Sequence, residues 1–182
     1  MRMSRFGIMV MAVVALVTAC VTADEFATKQ RNQIESYLGD KEYRLTPDSA
    51  YVYLAGNKFD IAPENRRQGA EVGDVVTFNV EAYTFSGSSP STVPYYTNKP
   101  YMLDLLSEDL DTSYWPLEPF VARLGQGDIL KPLEQSFEGC VEGDSLLVFL
   151  TSSIAYGTAG MGAVPKNTPV MMILTVEQLE EK

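Results

Sequence analysis

The sequence predicts an α+β domain: an antiparallel sheet of four to six strands wrapped across one short helix, with a separate helix before it. Three observations carry this. Val75 to Tyr83 and Val170 to Val176 alternate apolar and polar residues with the two-residue period of a half-buried strand. Ser145 to Thr151 holds a continuous apolar run, the pattern of a strand buried on both faces. Ile129 to Phe137 follows a glycine-bracketed turn and places Leu130, Leu133 and Phe137 on one helical face.

The chain opens with Arg2 and Arg5 ahead of an apolar run from Phe6 to Val17. That run is too short to cross a bilayer as a helix and suits a signal-peptide core. It ends in Val17-Thr18-Ala19-Cys20, which resembles the lipobox of bacterial lipoproteins, in which the Cys is acylated and becomes the first residue. Residues 1–19 are thus expected to be a lipoprotein signal peptide, with Cys20 the lipidated residue. Several acyl chains, at about 0.8 kcal/mol per buried CH₂, would hold such a chain on a membrane surface. The alternative is an ordinary secretory signal that leaves Cys20 unmodified.

Residues 20–45 are expected to form a lipid-anchored spacer. Within it Asp24 to Leu38 reads as a helix, with Phe26, Ile34, Tyr37 and Leu38 at helical spacings and Gly39 to end it. Lys41 to Pro47 reads as a linker. Ala50 to Leu54 is a short strand, and Gly56 to Gly69 is polar and turn-rich. In the long strand after Gly73-Asp74, Val76, Phe78, Val80 and Ala82 share the apolar face. Residues 84–109 begin with loop chemistry, SGSSPSTVP, and continue with mixed aromatic and acidic residues. Two prolines keep WPLEPF irregular. Asp128 is the expected N-cap of the short helix, and Pro132 is tolerated because it lies in the first turn.

The chain has 182 residues and a formal charge of −10. Without Arg2 and Arg5, 12 basic residues face 24 acidic ones, a mature charge near −12. Phosphate backbones repel such a surface, so nucleic acid is not an expected partner. The sequence contains no His, which excludes Ser-His-Asp triads, Cys-His pairs and His-based zinc sites. With Cys20 lipidated, Cys140 has no disulfide partner and reads as a small buried residue. No EF-hand spacing is present among Asp104, Glu108, Asp109 and Asp111. No cofactor is expected.

The order of motifs resembles the FKBP-type peptidyl-prolyl isomerases over roughly residues 46–182. LDTS at 110–113, PFVARLG at 119–125, GDILKPLEQSFEGCVEGD at 127–144, IAYG at 154–157 and AVPKNTPVMMILTVEQLE at 163–180 follow that family's sequence of motifs. The resemblance implies an FKBP-like fold with an insertion at about 84–109, where the family has a short link. It also implies pocket positions at Val80, Leu110, Asp111, Phe120, Ile129, Leu130, Leu133, Tyr156, Val164 and Met172. In the family, the Tyr at the position of Tyr156 and the backbone N–H at that of Ile129 bond the carbonyls of a bound ligand. Leu110, Leu133, Val80 and Met172 stand where the family often has aromatic residues, which implies a softer pocket.

The implied activity is non-covalent isomerisation of X-Pro bonds in exported polypeptides, with Tyr156 and Asp111 as its polar residues. The implied partners are proline-containing clients and, through the lipid, a membrane of the bacterial cell envelope. On the residues alone Ile129, Leu130 and Leu133 also read as core, Tyr156 as a packing residue and Asp111 as a turn cap. A non-catalytic peptide- or protein-binding module and a chaperone remain the alternatives, the former favoured if Tyr95, Tyr96 or Tyr101 from the insertion fills the pocket.

Overall fold

Val75–Ser86 (β3) is the spine of the structure, alternating buried and half-buried positions over most of its length. It belongs to a computed structural model in which residues 25–61 and 69–182 are described. The other strands are Tyr43–Leu45 (β1), Tyr51–Asn57 (β2), Ser89–Pro90 (β4), Tyr96–Thr97 (β5), Phe120–Arg123 (β6), Asp144–Leu150 (β7) and Val170–Glu180 (β8). All pair antiparallel in the order β1-β2-β7-β8-β3-β4, with β5 and β6 also on β3. This is the expected fold class, enlarged by short strands at 43–45, 89–90, 96–97 and 120–123 that alternation in so few residues does not reveal. The expected signal peptide and lipidated Cys20 lie outside the described residues, as do 62–68 of the expected loop.

Each face of the sheet buries its own apolar cluster. On the inner face Val76, Phe78, Val80 and Ala82 of β3 meet Val148 and Leu150 of β7 and Val170, Met172 and Leu174 of β8. Phe137 closes this face from the short helix Lys131–Ser136 (α2), its ring centroid 4.7 Å from that of Phe78. Phe149 and Met171 point the other way, joining Tyr51 and Phe85 on the outer face. That two-sided burial explains the unbroken apolar run of β7, because alternate residues serve different clusters.

The outer face is covered by the N-terminal helix, α1, residues 25–38. Ile34 and Leu38 are fully buried there, and Tyr37 packs edge-on to Phe85 at 5.5 Å. Gly39, with φ +54°, ends α1 by donating its N–H to the Glu35 carbonyl. Phe26, expected on the apolar face, is 43% exposed, and Gln30 is buried in the position one turn before Ile34. This part of the expected spacer is packed on the sheet.

The segment read as a linker contains β1. Arg44 explains it: the guanidinium donates to the carbonyls of Gln135, Ser136 and Glu138, at the C-terminal end of α2. A cation there meets the unsatisfied carbonyls and the negative end of the helix dipole. Asp128 is not the N-cap of α2. Leu130 holds that position, and the Asp128 carboxylate instead accepts the Arg123 N–H. Pro132 does lie in the first turn.

Two outcomes follow for stability. Phe149→Ala removes a fully buried ring that meets both Phe85 and Tyr37, and urea titration is expected to show a loss of about 3–5 kcal/mol. Asp74 accepts hydrogen bonds from the Glu71 and Lys182 backbone N–H groups, which hold its carboxyl below the ordinary 3.8. A depressed folded value means its contribution is present above the unfolded value and is lost as pH falls through the folded one. Asp74→Asn should therefore flatten the stability profile between about pH 5 and 2 while leaving its slope near neutrality unchanged.

Candidate active site

The inner face ends in a partly open apolar surface around which three segments converge. The first is the turn into α2. Arg123 and Gly127 pin it from both sides: Asp128 accepts the Arg123 N–H, and the buried Glu134 carboxylate accepts the Gly127 N–H at 2.8 Å. Ile129 is left half-buried on the inner cluster beside Leu133. Its backbone N–H has no hydrogen-bond partner among the described residues. A half-buried donor left unpaired is costly unless solvent or a ligand meets it, so this N–H is a ready partner for a carbonyl.

The second segment is the loop between β7 and β8. Tyr156 packs half-buried against the inner cluster, and Val164 is buried within it. Gly160, at φ +70°, permits the tight return: a Cβ there would stand 2.7 Å from the Val164 carbonyl oxygen. Tyr156 thus has its ring on apolar side chains.

The third segment is the expected insertion, residues 84–109. Tyr95 sets its ring edge-on to that of Tyr156, with centroids 6.1 Å apart, and the two hydroxyls lie 3.1 Å from each other. Burial, and then the Tyr156 hydroxyl, push the Tyr95 phenol well above its ordinary range, so it stays neutral. Tyr96 lies between Trp115 at 4.9 Å and Phe120 at 6.3 Å, and Phe120 in turn faces Phe78 at 5.8 Å. Aromatic side chains from 95, 96 and 115 therefore line the region where Val80, Leu133 and Met172 contribute aliphatic or thioether groups.

Asn98 fastens the insertion. It is 1% exposed; its side-chain oxygen accepts the Val80 N–H at 2.8 Å and its amide donates to the Glu118 carbonyl at 2.9 Å. One side chain thus closes the loop 99–118 onto the pocket wall. Next to it Lys99 pairs with Glu81 at 2.6 Å. Burial opposes the charge on Lys99, but the Glu81 carboxylate outweighs it and the ammonium is raised overall.

Of the sequence-predicted residues, Val80, Phe120, Ile129, Leu133, Tyr156, Val164 and Met172 come together on the inner cluster. Leu130, Leu110 and Asp111 do not join them. Leu130 is 46% exposed because, as the N-cap of α2, it points away while Leu133 and Phe137 turn inward. Leu110 is half-exposed on the loop, and Asp111 is exposed, its carboxylate accepting the Ser113 N–H at 3.0 Å. Hydrogen bonds from Ser113 hold the Asp111 carboxyl below its ordinary value. This is the turn-cap role that its sequence also permitted. Sequence reasoning gave no role to Asn98 or Trp115. The one available signal for the pair was the density of aromatics at 95–101 and 114–120 around a single Asn.

A family model described as FKBP-type peptidyl-prolyl cis-trans isomerase matches residues 66–177. The chain belongs to that family. Among solved structures, the FKBP chain is similar to a peptidyl-prolyl cis-trans isomerase from Pseudomonas syringae pv. tomato str. DC3000. The TM-score is 0.55 and the identity 11%, over 87% of this chain and 96% of that one. It is also similar to FkpA from Escherichia coli, with TM-score 0.52 and 14% identity over 98% of this chain and 74% of that one. At such identities the likeness is one of fold. Comparison with curated protein sequences finds no match.

Asn98→Ala would leave the buried Val80 N–H unpaired and free the far stem of the loop. Urea unfolding should show a loss of about 1–3 kcal/mol, and limited proteolysis should cut first within 99–118.

Proposed function

We propose that this FKBP is a peptidyl-prolyl cis-trans isomerase that assists the folding of exported polypeptides. The single observation that carries the reading is that Ile129, whose N–H is unengaged among the described residues, and Tyr156 pack against one and the same apolar cluster. Rotation about an X-Pro bond breaks amide resonance and meets a barrier of roughly 20 kcal/mol. No covalent step is needed to lower it. Val80, Phe120, Ile129, Leu133, Val164 and Met172 hold the prolyl ring away from water and disfavour the more polar planar amide. The Ile129 N–H and the Tyr156 hydroxyl take the carbonyls that flank the twisting bond. Bonds stronger to the twisted state than to the planar one raise the rate tenfold per 1.36 kcal/mol. In this reading Leu110, Leu130 and Asp111 stand off the inner cluster and take no part in holding the prolyl ring.

The Tyr95 hydroxyl bears on this chemistry. If it donates to the Tyr156 oxygen, the Tyr156 proton is free to point at a substrate carbonyl and is made a better donor. The same contact supports a second reading, a non-catalytic binding module in which Tyr95 occupies the site of a client carbonyl.

Lipid on Cys20 would hold the domain on a membrane surface of the bacterial cell envelope, where proline-containing clients emerge unfolded. Cys20→Ser is expected to move the protein from the membrane to the soluble fraction, and unchanged fractionation would count against the anchor.

The functional test is isomerisation of a short X-Pro peptide by the purified protein. Acceleration is expected, reduced about tenfold in Tyr156→Phe by the loss of one hydrogen bond and little changed in Asp111→Ala. A folded protein that binds the peptide without accelerating it, and gains activity in Tyr95→Ala, would establish the binding-module reading instead.

A further inference from the structure

Gln30 lies on α1, behind the sheet from the pocket, and is 3% exposed. Its amide joins two residues far along the chain. The side-chain oxygen accepts the Ser152 N–H at 2.8 Å and the Ser152 hydroxyl at 3.1 Å. The side-chain nitrogen donates to the Asn167 carbonyl at 2.9 Å. Ser152 and Asn167 are the two stems of the loop that carries Tyr156 and Val164. Both stems also bond Gly157, the residue after Tyr156. The Gly157 N–H donates to the Ser152 carbonyl at 2.6 Å, and the Asn167 N–H donates to the Gly157 carbonyl at 2.9 Å. Asn167 has φ +57°, a left-handed conformation that a non-glycine residue keeps only where its surroundings impose it.

We propose that Gln30 is a positioning residue for Tyr156: through Ser152 and Asn167, α1 sets from the outer face where the Tyr156 hydroxyl stands over the inner one. The catalytic consequence rests on the isomerase reading; the clamp itself does not. Only a primary amide long enough to reach both stems supplies an acceptor for Ser152 and a donor for Asn167 together. A carboxylate would set an oxygen against the Asn167 carbonyl, and an aliphatic side chain would leave the buried groups of both stems unpaired. Docking of α1 does not depend on this amide, because Ile34, Tyr37 and Leu38 already bury an apolar face in the outer cluster. The amide is spent on the loop.

The test compares the full protein with Gln30→Leu, Gln30→Glu and Ile34→Ala, reading amide hydrogen exchange, isomerisation kinetics and Tm. Gln30→Leu should speed exchange at Gly157 and lower kcat, each by about tenfold or more, with KM little changed. Ile34→Ala loosens α1 through a cavity and should lower Tm at least as much, yet leave both readouts within about twofold. Gln30→Glu keeps the Ser152 acceptor and should move both readouts in the same direction by less. It serves in place of Gln30→Leu if that variant fails to fold. Exchange and kcat that track Tm equally in the Gln30 and Ile34 variants would overturn the proposal. A wild type without isomerase activity would overturn the functional reading alone, and Gly157 exchange would then decide the clamp.

Discussion

The long antiparallel ladder between β3 and β8, from Val75↔Glu180 to Thr84↔Val170, sets the side on which every neighbouring residue is buried. Because side chains alternate with period two, this register sends Val80, Met172 and Leu174 inward and Tyr83, Met171 and Ile173 outward. A slip by one residue would exchange the two sets and destroy both clusters at once. β7 continues the same division, and so α2 and α1 find apolar surfaces on opposite faces. The pocket and the helix behind it are consequences of one register.

Between these apolar clusters a few buried polar side chains decide where the loops go. Asn98 joins β3 to Glu118 at the far stem of the 99–118 loop, Gln30 joins α1 to both stems of the Tyr156 loop, and Asp144 accepts from Asn57 and from the Val141 N–H. Each has one geometry in which its donors and acceptors are met, whereas an apolar contact of similar area tolerates sliding. The low dielectric that strengthens these bonds also makes their loss expensive. The loops that hold the candidate site are therefore defined by amides and carboxylates, and the sheet beneath them by hydrophobic burial.

The pocket shows the same division. Several positions that are often aromatic in the FKBP family carry aliphatic or Met side chains here, and Tyr95, Tyr96 and Trp115 bring rings to the surface from outside the shared motifs. The hydroxyl pair of Tyr95 and Tyr156 ties the insertion to the motif Tyr. Segment 84–109 thus adds rings to the walls of the candidate site, whose Ile129 and Tyr156 are carried by the turn into α2 and the loop between β7 and β8.

By itself the sequence determined the four longest strands, α2, the α+β class and the family, because periodicity and motif order are local signals written in consecutive residues. It also marked several of the apolar residues that meet on the inner cluster. It did not show that Asp111 serves a turn at the surface, that Leu130 points away, or that Gln30 is buried, since a polar residue on an amphipathic helix reads as solvated. Gln30 finds Ser152 and Asn167 only after α1 docks, and Asn98 finds Glu118 only after the loop closes. Those partners lie too far apart in the chain for spacing to reveal them, and a side-chain amide carries no sequence mark of the bond it will make. Tertiary structure alone decided which polar groups meet.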